Sequence, residues 1–139
     1  LDFAIRHGFD HGGWCPKGRL AEDGPIPSRY HLEETASPDS RERTERNVLD
    51  SDATLIIVRD EPLVGGTALT HELAARHRRP VVVLRESDGA AGGARAAAEF
   101  LRRNAVMTLN VAGPRDSEAP GLGEYVKQVL ESAILMLKA

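Results

Sequence analysis

The stretch between residues 54 and 77 constrains the fold of this chain more than any other. An apolar run ends at Val58, a short loop follows, and Gly65-Gly66-Thr67 opens a segment whose apolar residues have helical spacing. This order predicts a strand, a glycine turn and the N-terminus of a helix. Glycines in such a turn let the backbone approach a ligand closely, and the free N–H groups of the first helical turn point outward. Together with the helix dipole they form a site for phosphate or another oxyanion, so we expect a small anionic ligand.

Strands and helices alternate along the chain. The predicted strands lie at residues 55–58, 81–84 and 106–111, with a shorter one at 11–15. The predicted helices lie at 1–8, 38–50, 67–77, around 96–101 and at 122–137. Residues 86–93 are predicted to form a surface loop. This alternation predicts a single α/β domain over residues 1–139, with a parallel sheet and helices on both faces. Ligands of such folds lie beyond the carboxyl ends of the strands, where the loops 15–37, 60–67 and 112–121 are expected to meet.

The start of the helix at 38–50 carries a capping signal. Ser37 is suited to the N-cap, Pro38 to the first helical position and Asp39 to the positive end of the helix dipole. Glu42 and Arg46 are spaced for an ion pair one turn apart on the same helix.

The composition excludes several classes of partner. The 139 residues carry a net charge of −3, which argues against a nucleic-acid groove because such a groove needs a clustered basic surface. No apolar run reaches the roughly 20 residues of a membrane span, and no secretory signal is visible. Cys15 is the one cysteine and cannot form an internal disulfide, which favours a reducing, cytoplasmic location. Its spacing from His7, His11 and His31 matches no metal-ligand pattern, so no metal site is predicted.

Three segments match one known family. They are Gly12–Arg19 (GGWCPKGR) followed by Ala21–Gly24 (AEDG); Arg43–Val48 (RTERNV), which leads through Asp50–Thr54 (DSDAT) to Gly65–Thr70 (GGTALT); and Asn110–Arg115 (NVAGPR) with Ser117. Over about residues 1 to 121 the chain resembles the bacterial family called putative molybdenum carrier proteins. These look like circularly permuted relatives of the SLOG superfamily, a Rossmann-like group that includes the lysine-decarboxylase-like LOG phosphoribohydrolases. The resemblance implies a Rossmann-like fold and a ligand such as a nucleotide, molybdate or a molybdenum cofactor.

The beginning of the chain raises a further expectation. Leu1 to Gly8 is expected to form a helix that the glycine closes, and a helix that starts at residue 1 lacks a cap. Members of the family that the chain resembles usually open with a strand and a Gly-Gly-Gln-Thr-Gly type loop ahead of this helix. The resemblance therefore implies that a native N-terminal strand and glycine-rich loop are missing here.

The candidate ligand-binding residues come from three loops. They are Gly65, Gly66, Thr67 and Thr70 at the glycine turn; Asn110, Gly113, Arg115 and Ser117 after the last strand; and Lys17 and Arg19 in the loop rich in glycine and proline. Arg115 could pair with an anion through two N–H groups. Alternatively, Asn110 and Ser117 stabilise their own loop by bonding to its backbone. Lys17 and Arg19 could cover an anionic ligand or lie in a solvated loop.

Glu72 separates two functional hypotheses. LOG enzymes have a Gly-Gly-x-Gly-Thr-x-x-Glu pattern with a catalytic glutamate, and Glu72 holds the eighth position counted from Gly65. The resemblance thus implies, as an alternative, a nucleotide hydrolase that uses Glu72. Ala68-Leu69 stands where the pattern has its second Gly-Thr pair, and no nucleophile–base set is evident. Binding of a nucleotide or oxyanion without catalysis is therefore the first hypothesis.

The last predicted helix is the most amphipathic of the chain. Its apolar stripe runs from Leu122 to Leu137, and Leu135 and Met136 widen it beyond what one flank of a sheet needs to cover. Exposed apolar surface of this kind usually marks contact with another chain. We therefore expect a homodimer or larger homo-oligomer that uses this helix.

Overall fold

The computed structural model describes residues 1–21, 23–60 and 62–138, so that Glu22 of the AEDG segment, Glu61 of the loop 60–67 and Ala139 lie outside the described residues. In chain order the elements are α1 (Asp2–His7), β1 (Trp14–Cys15), β2 (Leu20–Ala21), β3 (Gly24–Pro25), β4 (Glu33–Glu34), α2 (Ser40–Leu49), β5 (Ala53–Val58), α3 (Gly65–Arg76), β6 (Val81–Arg85), a 3₁₀ turn (Glu86–Asp88), α4 (Gly89–Arg103), β7 (Leu109–Ala112) and α5 (Leu122–Lys138).

β5 is the centre of the fold. It pairs in parallel with β6 on one side and with β7 on the other, in the order β6-β5-β7. All six residues of β5 are buried, because strands flank both of its edges and helices cover both faces. Leu55 and Ile57 belong to the apolar cluster with α4 and α5. The alternating residues Thr54 and Ile56 face the side on which α2 and α3 pack together. The predicted α/β fold with parallel strands and helices on both faces is therefore confirmed.

α5 covers one face of the sheet with its predicted apolar stripe. Leu122, Tyr125, Val129 and Ala133 are buried at helical spacing. The Tyr125 hydroxyl donates a hydrogen bond to the backbone oxygen of Arg85 at 2.9 Å, which ties the helix to the end of β6. Among the described residues, neither α5 nor any other helix has the length and hydropathy needed to cross a membrane.

Residues 86–93 do not form the predicted loop, since they make the 3₁₀ turn and the first turns of α4. Their small residues allow two helices to pack closely. A Cβ atom added to Gly93 would lie 2.6 Å from the Tyr125 hydroxyl, and Ala94 is fully buried. The composition that suggested a loop therefore reflects the close approach of α4 to α5.

The strands of the N-terminal region are short. β1 pairs in parallel with β4, and β2 pairs antiparallel with β3. Asn47 of α2 anchors β1, because its Oδ1 accepts from the Trp14 N–H at 2.8 Å and its Nδ2 donates to the Trp14 carbonyl at 3.2 Å. The Trp14 indole also donates to Asp50 at 2.7 Å. The predicted strand of residues 11–15 is thus reduced to its last two residues.

Two helix ends test the capping predictions. α1 closes, as predicted, at Gly8, which has a left-handed φ of 73°. α2 begins later than predicted, because Asp39 is its N-cap and accepts a backbone N–H of the first turn at 2.9 Å. Ser37 instead accepts the Asp39 N–H at 3.0 Å, which forms a turn ahead of the helix. The predicted pair of Glu42 and Arg46 is present at 3.7 Å.

Candidate functional site

The glycine turn opens α3 at Gly65, slightly earlier than the sequence predicts. Gly65 has a φ of 54°, and the N-cap Val64 has an aliphatic side chain that cannot cap the helix. The first intrahelical bond runs from the Ala68 N–H to the Val64 oxygen at 3.2 Å, so the N–H groups of Gly65, Gly66 and Thr67 have no acceptor within the helix. A Cβ atom added to either glycine would meet open space. Gly65 and Gly66 are exposed, so solvent reaches the backbone at the start of the helix.

Two threonines lie in the first turns of α3. Thr67 and Thr70 are both buried. The Thr70 hydroxyl donates to the Gly66 carbonyl at 2.8 Å, within its own helix. Thr70 therefore acts on the turn through Gly66, and its hydroxyl proton is already engaged.

The loop that follows β7 lies against the carboxyl end of β5. A Cβ atom added to Gly113 would be only 2.6 Å from the Ile57 carbonyl oxygen, so glycine is needed for this contact. Within the loop, the Arg115 side chain and backbone N–H both donate to Glu118 Oε1, at 3.1 and 3.2 Å. These bonds, the side-chain bond first, hold the pKa of Glu118 below its usual value. Ser117 is exposed in the same loop.

Asn110 lies within β7 and not after it, because the strand spans Leu109–Ala112 instead of the predicted 106–111. Its Nδ2 donates to the Thr54 hydroxyl of β5 at 3.3 Å. Thr54 is four residues from Val58, at the other end of the strand, which corresponds to about 13 Å. Asn110 therefore joins two strands at a distance from the glycine turn.

Lys17 and Arg19 occupy different environments. The Arg19 guanidinium donates to four backbone carbonyls, those of Ile26, Pro27, Tyr30 and Leu32, at 3.0 to 3.3 Å. It therefore organises its own loop. The Lys17 side chain is exposed, and its backbone N–H donates to the Ser37 oxygen at 3.2 Å.

Glu72 lies on the outer surface of α3. Its side chain is 58% exposed and accepts from Arg76 NH2 one turn further along the helix, at 3.1 Å. This is the geometry of a surface ion pair, whereas a catalytic acid or base is usually found in a confined pocket. The position of Glu72 therefore adds no support to the hydrolase alternative.

Arg43 of α2 is a candidate that the sequence interpretation did not select. Its Nε is buried and has no hydrogen-bond partner, the one such side-chain atom in the described part of the chain. Burial lowers the pKa of Arg43, and the neighbouring Cys15 acts in the opposite direction. The available signal was its spacing: Arg43 and Asn47 lie one helical turn apart, and Asn47 faces β1. In the described ranges, no three His, Cys, Asp or Glu side chains are placed to hold a metal ion.

A cavity of about 240 Å³ adjoins the loop after β7. It lies between the carboxyl end of β7 and the first turns of α5. Apolar side chains, among them Val111, Leu122 and Val126, form most of its wall, and Asp116 is the charged residue of its lining. The carboxyl edge of the sheet therefore combines an exposed helix N-terminus with an apolar recess.

The parallel sheet, its helices and the glycine turn at the carboxyl edge define the chain as a Rossmann-like α/β protein. A family model described as the circularly permutated YpsA SLOG family matches residues 1–134, and the chain belongs to this family. It is also similar to a protein from Syntrophus aciditrophicus SB whose 1.45 Å crystal structure is described as that of a putative molybdenum carrier protein. The two chains are 40% identical with a TM-score of 0.92, and the match covers 96% of this chain and 84% of that chain. No protein with a curated description matches the chain. The family resemblance predicted from the three sequence segments is confirmed.

Proposed function

We propose that this protein is a carrier-like binding protein that holds a small anion at the Gly65–Thr67 turn, without chemistry of its own. The anion is an oxyanion such as molybdate or phosphate, or the phosphate of a nucleotide. The observation that carries the proposal is the N-terminus of α3, whose first three N–H groups lack intrahelical acceptors and whose first two residues, Gly65 and Gly66, are exposed and carry no side chain. The family and the description of the similar crystal structure support the carrier-like part.

Arg43 is the cation that we add to this proposal. Its buried Nε has no acceptor, whereas Arg19 and Arg115 already donate to oxygen atoms of their own loops. An unmade bond of a buried charged group costs free energy, and α2, which carries Arg43, packs against α3, which carries the turn. We expect Arg43→Met to weaken anion binding by about tenfold to a hundredfold. Arg41→Met, at an exposed position of the same helix, is the control.

The test is calorimetric titration with molybdate, tungstate, phosphate, AMP and ATP, followed by Gly66→Asp. A side chain at Gly66 meets open space, and an aspartate in the first helical turn is favourable to the dipole, so the variant should fold. Its carboxylate occupies the place of the ligand, and we expect at least about a tenfold loss of affinity from charge repulsion. Gly92→Asp is the matched control, because Gly92 is a helical glycine of α4 that also faces open space. Equal affinity of the two variants would contradict the proposal.

The same samples test the hydrolase alternative. Release of free base from AMP by the unaltered protein, and its loss in Glu72→Gln, would place Glu72 in a catalytic role. We expect no such release, because Glu72 is exposed and paired with Arg76.

A further inference from the structure

Arg59 connects three segments at the carboxyl edge of the sheet. It follows directly after β5, at the start of the loop that leads to the glycine turn. Its Nε donates to Glu86 Oε1 at 3.0 Å, and its NH2 donates to the Pro120 carbonyl at 2.7 Å. Glu86 opens the 3₁₀ turn after β6, and Pro120 ends the loop that precedes α5. One guanidinium therefore joins the loops that follow β5, β6 and β7.

Backbone contacts reinforce this arrangement. The Glu86 N–H donates to the Arg59 carbonyl at 3.0 Å, so the two residues are bonded through both backbone and side chain. The ion pair is shielded in part, since its side chains are 36% and 35% exposed. At the other end of the Pro120 loop, Gly113 lies against the Ile57 carbonyl. The loop is therefore held at its start by a backbone contact and at its end by Arg59.

The chemistry of this contact requires arginine. The two acceptors belong to different segments, and a rigid planar guanidinium presents N–H groups to both at once. A lysine ammonium is a compact charge on a flexible stem and is not pre-organised for two acceptors in fixed directions. Neither Arg59 nor Glu86 was selected from the sequence. Arg59 lies within residues 54–77, but its partners Glu86 and Pro120 are distant along the chain.

We propose that Arg59 is a positioning residue of the anion site, which fixes the 113–121 loop relative to the loop that leads to Gly65. It acts through Pro120 and Glu86 and does not itself touch the ligand. The part that concerns affinity rests on the proposed function. The part that concerns the loop does not, because it follows from the contacts of Arg59 alone.

The experiment compares Arg59→Ala and Arg59→Lys with the unaltered protein and with Arg103→Ala. Arg103 makes an exposed ion pair with Glu99 on α4 and serves as a control for loss of one arginine. Amide hydrogen exchange is followed at residues 118–122 and 65–68, and affinities for molybdate and phosphate are measured by calorimetry. We expect both Arg59 variants to exchange about tenfold faster at 118–122 and to bind the anions about tenfold more weakly. Millimolar guanidinium should restore both properties in Arg59→Ala, and equal concentrations of sodium chloride should not.

The exchange rates test the part of the proposal that concerns the loop, and the affinities test the part that concerns the anion. Unchanged exchange with lost affinity would overturn the positioning role in favour of direct contact with the ligand. Unchanged exchange and affinity would overturn the proposal entirely. If the unaltered protein binds neither anion, the proposed function fails, and the exchange data alone decide whether Arg59 holds the loop. If Arg59→Ala does not fold, Arg59→Lys keeps the charge and still removes one of the two contacts.

Discussion

The three-stranded sheet and the segment of residues 16–37 are stabilised in opposite ways. In the sheet, β5 is buried over its full length and apolar side chains from the helices pack on its faces. In the segment, one charged side chain, that of Arg19, donates to four backbone carbonyls. In the sheet, hydrogen bonds between strands satisfy the backbone oxygens. In the segment of residues 16–37, a long polar side chain must satisfy them instead.

The two regions also differ in their relation to the candidate site. The glycine turn, the Gly113 contact and the Arg59 bridge all lie at the carboxyl edge of the sheet. Lys17 and Arg19 belong to the other region, and Arg19 is engaged with its own loop. The ligand site that we propose therefore lies in the sheet region.

The largest expected effect comes from the sheet. Ile56 is fully buried at the centre of β5, so Ile56→Ala should lower the free energy of unfolding by about 2–5 kcal/mol. Urea denaturation, followed by circular dichroism, measures it as one cooperative transition. Ile5→Ala is the control, since Ile5 is 44% exposed and should change stability by less than about 0.5 kcal/mol. Equal losses in the free energy of unfolding for Ile56→Ala and Ile5→Ala would contradict the view that burial of β5 stabilises the sheet.

A smaller and more local effect is expected in the segment. Arg19→Met keeps the aliphatic stem and removes the donors to four carbonyls, which should cost about 2 kcal/mol because these groups are partly exposed to water. Limited proteolysis should then cut within residues 16–37 first, while the urea midpoint moves less than in Ile56→Ala. Lys17→Met is the matched control in the same segment. A variant that resists proteolysis as well as the control would show that Arg19 does not hold the segment.

The same contrast explains what the sequence could predict. The buried strand, the glycine turn and the stripe of α5 follow from periodicity and local residue types, and all three elements are present. The contacts of Arg19 depend on residues that only folding brings near, so no spacing rule identifies them. The spacing of Arg43 from Asn47 indicates a shared face of α2, but it does not show that the Arg43 Nε has no partner. At residues 86–93 the composition led to the wrong prediction of a loop, because the small residues there allow α4 to pack closely against α5. The site hypotheses at Gly65–Thr67 and Arg115 stay predictions until a ligand is tested.

The oligomeric state shows whether the apolar surface of α5, which covers the sheet, also contacts a second copy of the chain. Met136 packs on the chain's own apolar cluster, but Leu135 is 69% exposed on α5. We expect the protein to be a homodimer or larger through this surface, and Leu135→Lys to shift it towards the 15.1 kDa monomer in light scattering at micromolar concentration. Met107→Lys is the control, because Met107 is 91% exposed but lies outside α5. A monomeric unaltered protein would show that Leu135 needs no partner.

The smallest expected effect concerns a polar contact within the sheet region itself. Asp52 precedes β5, and its carboxylate accepts the backbone N–H groups of Met107 and Thr108, both at 2.9 Å. The bond from Thr108 first, and then that from Met107, hold the pKa of Asp52 below its usual value of 3.8. Because the folded pKa is lowered, the contribution to stability is fully present above the unfolded pKa. It is lost as the pH falls through the folded pKa.

Asp52→Asn should therefore lower the melting temperature slightly at pH 7, and the difference from the unaltered protein should vanish as the pH falls through the lowered pKa of Asp52. Asp10→Asn, at an exposed position of the N-terminal region, is the control for the loss of one carboxylate. A difference that persists unchanged in acid would mean that the Asp52 charge is not what stabilises the turn.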